Sequence, residues 1–171
     1  MAEPRYRIEP LASAHARDGF TCGVEPLDRY LKAQASQDAR RRVSACFVAI
    51  DTVDGAIAGY YTLAATGIPL DRLPDQIVKK LPRYPVVPAA LLGRLAIAQA
   101  HRGQGLGKAL IANAIRRIAA ADVMAFAVVV DAKDDGARRF YQHFGFELLA
   151  GEAARLALPV ATALKLLEAG N

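Results

Sequence analysis

The sequence predicts an α/β protein built on a mixed sheet, with antiparallel strands first and a β–loop–α–β unit after them. Three observations carry this. Two strand-like runs, "SACFVAI" (44–50) and "AIAGYYTLAA" (56–65), flank "DTVDG", whose Asp54-Gly55 pair suits a hairpin turn. A buried-strand run, "AALLGRLAIA" (89–98), passes directly into "HRGQGLGKAL" and then into a helical stripe of Leu106, Leu110, Ala114 and Ile118. The apolar run "VMAFAVVV" (123–130) follows, as expected for a strand covered on both faces. Strands that pair locally before the β–loop–α–β unit argue against a doubly wound nucleotide fold. A chain of 171 residues is read as one domain, residues 1–171.

The other elements fall around this frame. "RYRIEPL" reads as a short first strand. Pro26 suits a helix start, and Leu27, Leu31 and Ala35 repeat on one face of a helix that runs into Arg40-Arg41-Arg42. Residues 66–90 are rich in proline, with a short helix expected over "DQIVKKL". "DDGARRFYQHFGFELL" predicts a short helix, a turn at Gly145 and a further strand, and the last strand is expected within "EAARLALPVATALKLL". No internal repeat or low-complexity linker is visible.

Composition narrows the function classes. The hydrophobic fraction of 53% belongs to a folded chain, and no apolar run is long enough to span a bilayer. The charged, proline-bearing "MAEPRYRIEP" lacks the apolar core of a signal peptide, so a cytoplasmic protein is expected. Cys22 and Cys46 form no CxxC pair and the histidines do not cluster, so no metal site is expected. The net charge is +5, and 16 of the 22 basic residues are Arg, the side chain that forks onto phosphate.

The glycine loop fits neither common phosphate motif. A Walker A reading places its leading glycine at Arg102 and Ala109 where Ser or Thr is needed, and G-x-G-x-x-G fails at Lys108 or Leu110. The loop does fit [QR]-x-x-G-x-[GA] as Arg102-Gly103-Gln104-Gly105-Leu106-Gly107. Without β-carbons at 103, 105 and 107, backbone N–H groups can close around a pyrophosphate, and the helix dipole supports its charge. Arg102 and Lys108 can add charge-assisted contacts. With these residues the chain resembles the GNAT superfamily of acetyl-CoA-dependent N-acetyltransferases. "ARRFYQHFGFE" resembles that family's closing motif. The resemblance implies acetyl-CoA as donor, Tyr141 as the acid for the departing thiolate, and backbone groups of Leu95, Ala96 and Ile97 as the oxyanion and pantetheine contacts. No side chain of this stretch could act as a general base. That favours an acceptor amine already partly neutral, such as an α-amine with pKa near ~7.7–8.0 against ~10.4 for Lys.

Longer segments narrow the acceptor. "FTCGVEPLDRYLKAQASQDARRRVSACFVAI" and "YPVVPAALLGRLAIAQAHRGQGLGKALI" look like the GNAT toxins of bacterial toxin–antitoxin pairs, over about residues 20 to 168. This resemblance implies acetylation of the α-amino group of aminoacyl-tRNA, arrest of translation, a separately encoded antitoxin, and a homodimer by family habit. Arg29, Lys32, Arg40, Arg41 and Arg42 form a basic stretch suited to tRNA phosphates, or to a solvated helix end. Lys79, Lys80 and Arg83 are a weaker patch. Arg94 interrupts a buried strand, so it either meets an internal carboxylate or points toward the acceptor's phosphates. "SACF" lacks the basic residue that family members often carry near Ala45 or Cys46. Two other readings stay open: a housekeeping GNAT acting on a protein N-terminus, polyamine or antibiotic amine, and a non-catalytic nucleic-acid- or partner-binding module.

Overall fold

The computed structural model describes residues 3–170; residues 1, 2 and 171, at the ends of the predicted domain, lie outside them. The strands are β1 (Tyr6–Pro10), β2 (Ala45–Asp51), β3 (Ile57–Pro69), β4 (Val86–Ile97), β5 (Ala127–Asp131), β6 (Glu147–Leu148) and β7 (Arg155–Pro159). The α-helices are α1 (Glu25–Arg29), α2 (Ala35–Arg40), α3 (Asp75–Val78), α4 (Leu106–Ala120), α5 (Asp135–Phe144) and α6 (Val160–Glu168). The strands form one mixed sheet of order β1-β2-β3-β4-β5-β7-β6, in which β4 and β5 run parallel. The chain divides into two compact units. One contains the chain up to Ala64 with Gly93–Ala114, and the other contains Ala65–Leu92 with the chain from Ile115 onward.

In the first unit, β1 pairs antiparallel with β2 from Tyr6↔Asp51 to Pro10↔Phe47, and β2 pairs antiparallel with β3. The predicted hairpin is present. Gly55 takes φ +75°, and the Asp51 N–H donates to the Ala56 carbonyl at 2.9 Å. Pro26 lies in the first turn of α1, where its missing N–H costs nothing. The helix predicted to run unbroken to Arg42 instead holds a π-helical turn, Tyr30–Gln34, between α1 and α2. The extra residue in that turn buries Tyr30 as well as Leu31, so the stripe read as Leu27, Leu31 and Ala35 gains an aromatic neighbour. Leu31, Ala35, Val48, Tyr60 and Phe20 share one core cluster. After α2 the chain turns with the Val43 N–H on the Asp38 carbonyl (2.9 Å) and the Arg42 N–H on the Ala39 carbonyl (3.1 Å). This Schellman turn puts Arg42 at φ +60°, where glycine is usual. Gly59 allows a close approach in the sheet, since a Cβ there would lie 2.9 Å from the Ala96 carbonyl oxygen.

In the second unit, the parallel register runs from Ala89↔Ala127 to Leu92↔Val130, and β7 pairs antiparallel with both β5 and β6. Ile68, Leu73, Val87, Ala89, Ala127 and Val129 share its core. Three expectations are corrected here. β3 runs on to Pro69 and β4 begins at Val86, so the proline-rich stretch is partly strand. Pro69 ends its strand and Pro88 is an exposed strand residue, positions where a missing N–H is tolerated. The helix within 75–81 is only α3, and β5 starts at Ala127, because Val123 and Met124 are 85% and 76% exposed in the approach to it. The last strand, β7, lies within the segment expected for it, and α6 follows it. Gly145 ends α5 at φ +130°, as its place in the sequence predicted.

Candidate active site

The glycine loop lies in the first unit. β4 ends at Ile97, a 3-10 turn covers Gln99–His101, and α4 begins at Leu106. Gly103 and Gly105 take φ +76° and +77°, and a Cβ at either would meet no atom within 4 Å. The backbone conformation thus requires glycine, while the space in front of the loop remains free. Gly107 lies inside the first turn of α4, and Lys108 is exposed on it. The 15-residue helix α4 directs unpaired N–H groups and the positive end of its dipole at this loop. Its Leu106, Leu110 and Ala114 are buried, as the predicted stripe requires. Ala96 is buried on β4, with Leu95 and Ile97 half-buried beside it.

Side chains fix the loop in place. An Arg102 N–H donates to the Cys22 carbonyl, and the Gln99 N–H donates to the Thr21 carbonyl at 2.9 Å. Gly23 at φ +86° lets this earlier segment approach, since a Cβ there would sit 2.7 Å from Gln99 Nε2. The Tyr6 hydroxyl donates to Gln104 Oε1 at 2.7 Å and lies 2.9 Å from His101 Nδ1. With the phenol proton committed to Gln104, Nδ1 is the donor to the phenol oxygen. His101 Nε2 lies 3.7 Å from buried Asp51, which Arg5 grips through two bonds of 2.9 Å. Gln104 and Arg102 therefore each spend part of their side-chain hydrogen bonding on buttressing the loop.

The Arg5 hydrogen bond, followed by the Val53 N–H, holds the Asp51 carboxyl below the usual carboxylate range. Its stabilisation is present above the ordinary value of about 3.9 and is lost as pH falls through the lower folded value. Thermal melts between pH 7 and pH 2 should therefore show Tm dropping below about pH 4. Asp51→Asn should lower Tm at pH 7 and make that acid-side drop shallower.

Tyr141 belongs to the second unit, on α5, whose N-terminus is capped by Asp134 accepting from the Ala137 N–H at 2.7 Å. The Tyr141 ring sits edge-on to Phe140 and Phe146, each at 5.5 Å between centroids. Burial pushes its phenol up to about 12, so it carries its proton throughout the neutral range. Phe144 and Phe146 are buried and Phe140 is half-buried, matching their expected core role, while His143 is exposed.

The basic candidates lie in the first unit. Arg40, Arg41 and Arg42 are exposed, with no ion-pair partner among the described residues. Lys32 is exposed, and Arg29 is paired with Glu25 at 2.7 Å on the helix surface. Arg94 does not take the first of the two forms expected of it inside a strand, an internal ion pair. Among the described residues no carboxylate lies within ion-pair distance, and its guanidinium carbon instead sits 3.6 Å from the centroid of the Tyr30 ring. Tyr30 is the residue that sequence reasoning missed. Its one signal was an aromatic beside Leu31 in an otherwise amphipathic helix. Lys79, Lys80 and Arg83 are exposed in the second unit.

Residues 42–148 match the family model described as "Acetyltransferase (GNAT) domain". The chain belongs to the GNAT acetyltransferase family. It is homologous to a "tRNA-acetylating toxin" of Mycobacterium tuberculosis strain ATCC 25618 / H37Rv, 36% identical over 81% of this chain and 82% of the relative. The structure of AtaT complexed with acetyl-methionyl-tRNAfMet is similar with a TM-score of 0.87 and 29% identity, covering 95% of this chain and 99% of that one. A tyrosine-to-phenylalanine variant of the AtaT toxin, bound to the C-terminus of the antitoxin AtaR and acetyl-CoA, is similar with a TM-score of 0.78 and 25% identity. There the match covers 96% of this chain and 99% of the other. The predicted family and the predicted mixed-sheet GNAT fold are therefore those observed. No helix among the described residues is long and apolar enough to cross a membrane, and none of their His, Cys, Asp and Glu side chains form a metal-holding group.

Proposed function

We propose that this chain is a single acetyltransferase domain that moves the acetyl group of acetyl-CoA to the α-amino group of an aminoacyl-tRNA, a toxin that blocks translation in the cytoplasm. The observation that carries the acceptor is the exposed, unpaired surface of Arg40, Arg41 and Arg42, in the unit that also holds Arg94, on a chain homologous to tRNA-acetylating toxins. Phosphate contacts are the use such a surface serves best.

The residues present fit acetyl-CoA. Gly103 and Gly105 hold a left-handed backbone with nothing in front of it, at the N-terminus of a long helix, which is an anion cradle. Backbone N–H groups from Gly103 to Gly107 would hold the pyrophosphate. Lys108, and the Arg102 donors not engaged with Cys22, would add charge. Backbone groups of Leu95, Ala96 and Ile97 would orient the acyl arm. Acetyl-CoA supplies an activated thioester when bound. Tyr141 keeps a proton on its phenolic oxygen for a departing thiolate, because burial holds that proton in place. An α-amine, partly neutral near pH 7, needs no strong base, whereas a Lys amine would. A separately encoded antitoxin is the expected partner, with a homodimer as the family's usual state.

Cell-free translation tests this. Peptide synthesis should stop when the chain and acetyl-CoA are added together, continue when either is omitted, and continue with Tyr141→Phe. Uninterrupted synthesis with an enzyme shown to acetylate a small amine would contradict the toxin assignment.

A further inference from the structure

Arg94 is a half-buried cation on β4 for which the chain provides an aromatic face but, among the described residues, no carboxylate at ion-pair distance. Its guanidinium carbon is 3.6 Å from the Tyr30 centroid, a direct face contact. Among the described residues nothing accepts a hydrogen bond from its N–H groups and no carboxylate stands within 4 Å. The acid nearest in charge, Asp38, is engaged elsewhere. It accepts from the Tyr30 hydroxyl at 2.8 Å and from Gln34 Nε2 at 3.2 Å. Asp38 therefore holds the ring and leaves the guanidinium edge without a partner.

The ring itself is fixed by the fold. Tyr30 opens the π-helical turn Tyr30–Gln34, and its ring stacks with Tyr60 at 6.3 Å and 15° between planes. Tyr60 is in turn tied to the helix by its hydroxyl, which donates to the Leu27 carbonyl at 2.6 Å. A guanidinium is a planar fork that meets a phosphate through paired N–H groups only when its plane is set. A stacked ring sets that plane while leaving the edge free. Strand stability alone would be served as well by pairing Arg94 with Asp38, or by an apolar residue in its place.

We infer that Tyr30 is a positioning residue for the acceptor, its ring holding the Arg94 guanidinium so that the free edge binds a phosphate of the charged tRNA. Asp38 and the π-helical turn keep that ring in place. The inference rests on the tRNA reading above and assigns to it a residue pair.

The test is steady-state acetylation of two acceptors at saturating acetyl-CoA: a charged tRNA, and an amino-acid methyl ester, which carries the α-amine without phosphates. Tyr30→Leu should raise KM for charged tRNA about tenfold, with kcat unchanged and with both constants for the ester unchanged. Tyr30→Phe keeps the ring face and should remain within about threefold of the parent enzyme. Arg94→Lys, which leaves the Tyr30 packing intact, should raise the tRNA KM as Tyr30→Leu does, because it keeps the charge and loses the fork. Combining Tyr30→Leu with Arg94→Lys should add little further. An unchanged tRNA KM in Tyr30→Leu and Arg94→Lys overturns the inference, and so do equal losses on tRNA and ester. A parent enzyme that acetylates the ester but no charged tRNA would instead overturn the tRNA reading itself.

Discussion

Replacing Tyr141 by Phe is expected to lower kcat for acetyl transfer by about 10²-fold or more while leaving KM for acetyl-CoA within about twofold. The substitution removes one oxygen from a ring that is otherwise held by its neighbours. Phe140 and Phe146 meet the ring edge-on at 5.5 Å, and Asp134 and Gly145 fix the two ends of α5. A phenylalanine fits the same space, so the fold and the cofactor contacts persist. What disappears is the proton on the phenolic oxygen. Since burial raises the Tyr141 phenol to about 12, the parent enzyme should show no loss of kcat from its ionisation between neutral and mildly basic pH. Steady-state kinetics of both enzymes, with circular dichroism to verify the fold, checks this. Equal kcat values would remove Tyr141 from the chemistry.

The second large effect is expected in the loop. Gly105→Val should raise KM for acetyl-CoA by about tenfold or more, with Gly103→Val close behind. At φ +77° and +76° a β-branched residue is strained, at a cost of about 1–2 kcal/mol, and the backbone can relax only by moving its N–H groups. Because a Cβ at either position would meet no protein atom within 4 Å, the folded core is not the reason for loss. The new side chain would stand in the space proposed above for the pyrophosphate. Thermal melts should therefore fall by only a few degrees while acetyl-CoA affinity, measured by calorimetry, falls about tenfold. A matching collapse in Tm would point to a structural loop instead.

Much of this architecture was legible because its signals are local. Asp54-Gly55 fixed the hairpin, the glycine loop marked the passage from β4 into α4, and Gly145 marked the end of α5. The misreadings have physical causes. The flanking strands were bounded at 65 and 89, outside the proline-rich stretch, yet Pro69 closes a strand and Pro88 sits exposed within one, places where no N–H is required. Val123 and Met124 continue an apolar run without a turn residue to separate them, so periodicity could not show that β5 begins at Ala127. The π-helical turn adds a single residue, which an i, i+4 pattern absorbs without visible change.

The site was legible by residue type more than by contact. Tyr141 lies on the short helix after β5 and the loop glycines lie between β4 and the start of α4, because each motif is contiguous in sequence. Arg94 was framed as a choice between a carboxylate and a phosphate, and what that choice left out is the ring of Tyr30, far away along the chain, against which the guanidinium sits. The contacts of Gln104 with the Tyr6 hydroxyl and of Arg102 with the Cys22 carbonyl were likewise not foreseen. Such long-range side-chain pairings leave no periodic trace.

The central claim is transfer of acetyl to the α-amine of charged tRNA, and the most direct measurement follows labelled acetyl from acetyl-CoA into a mixed aminoacyl-tRNA pool. Uncharged tRNA and the Tyr141→Phe enzyme run beside it. The account predicts label on charged tRNA alone, recovered as N-acetyl aminoacyl-adenosine after nuclease digestion, and reduced by about 10²-fold or more without the phenol. Label on a free amine or peptide, with none on any charged tRNA, would contradict it.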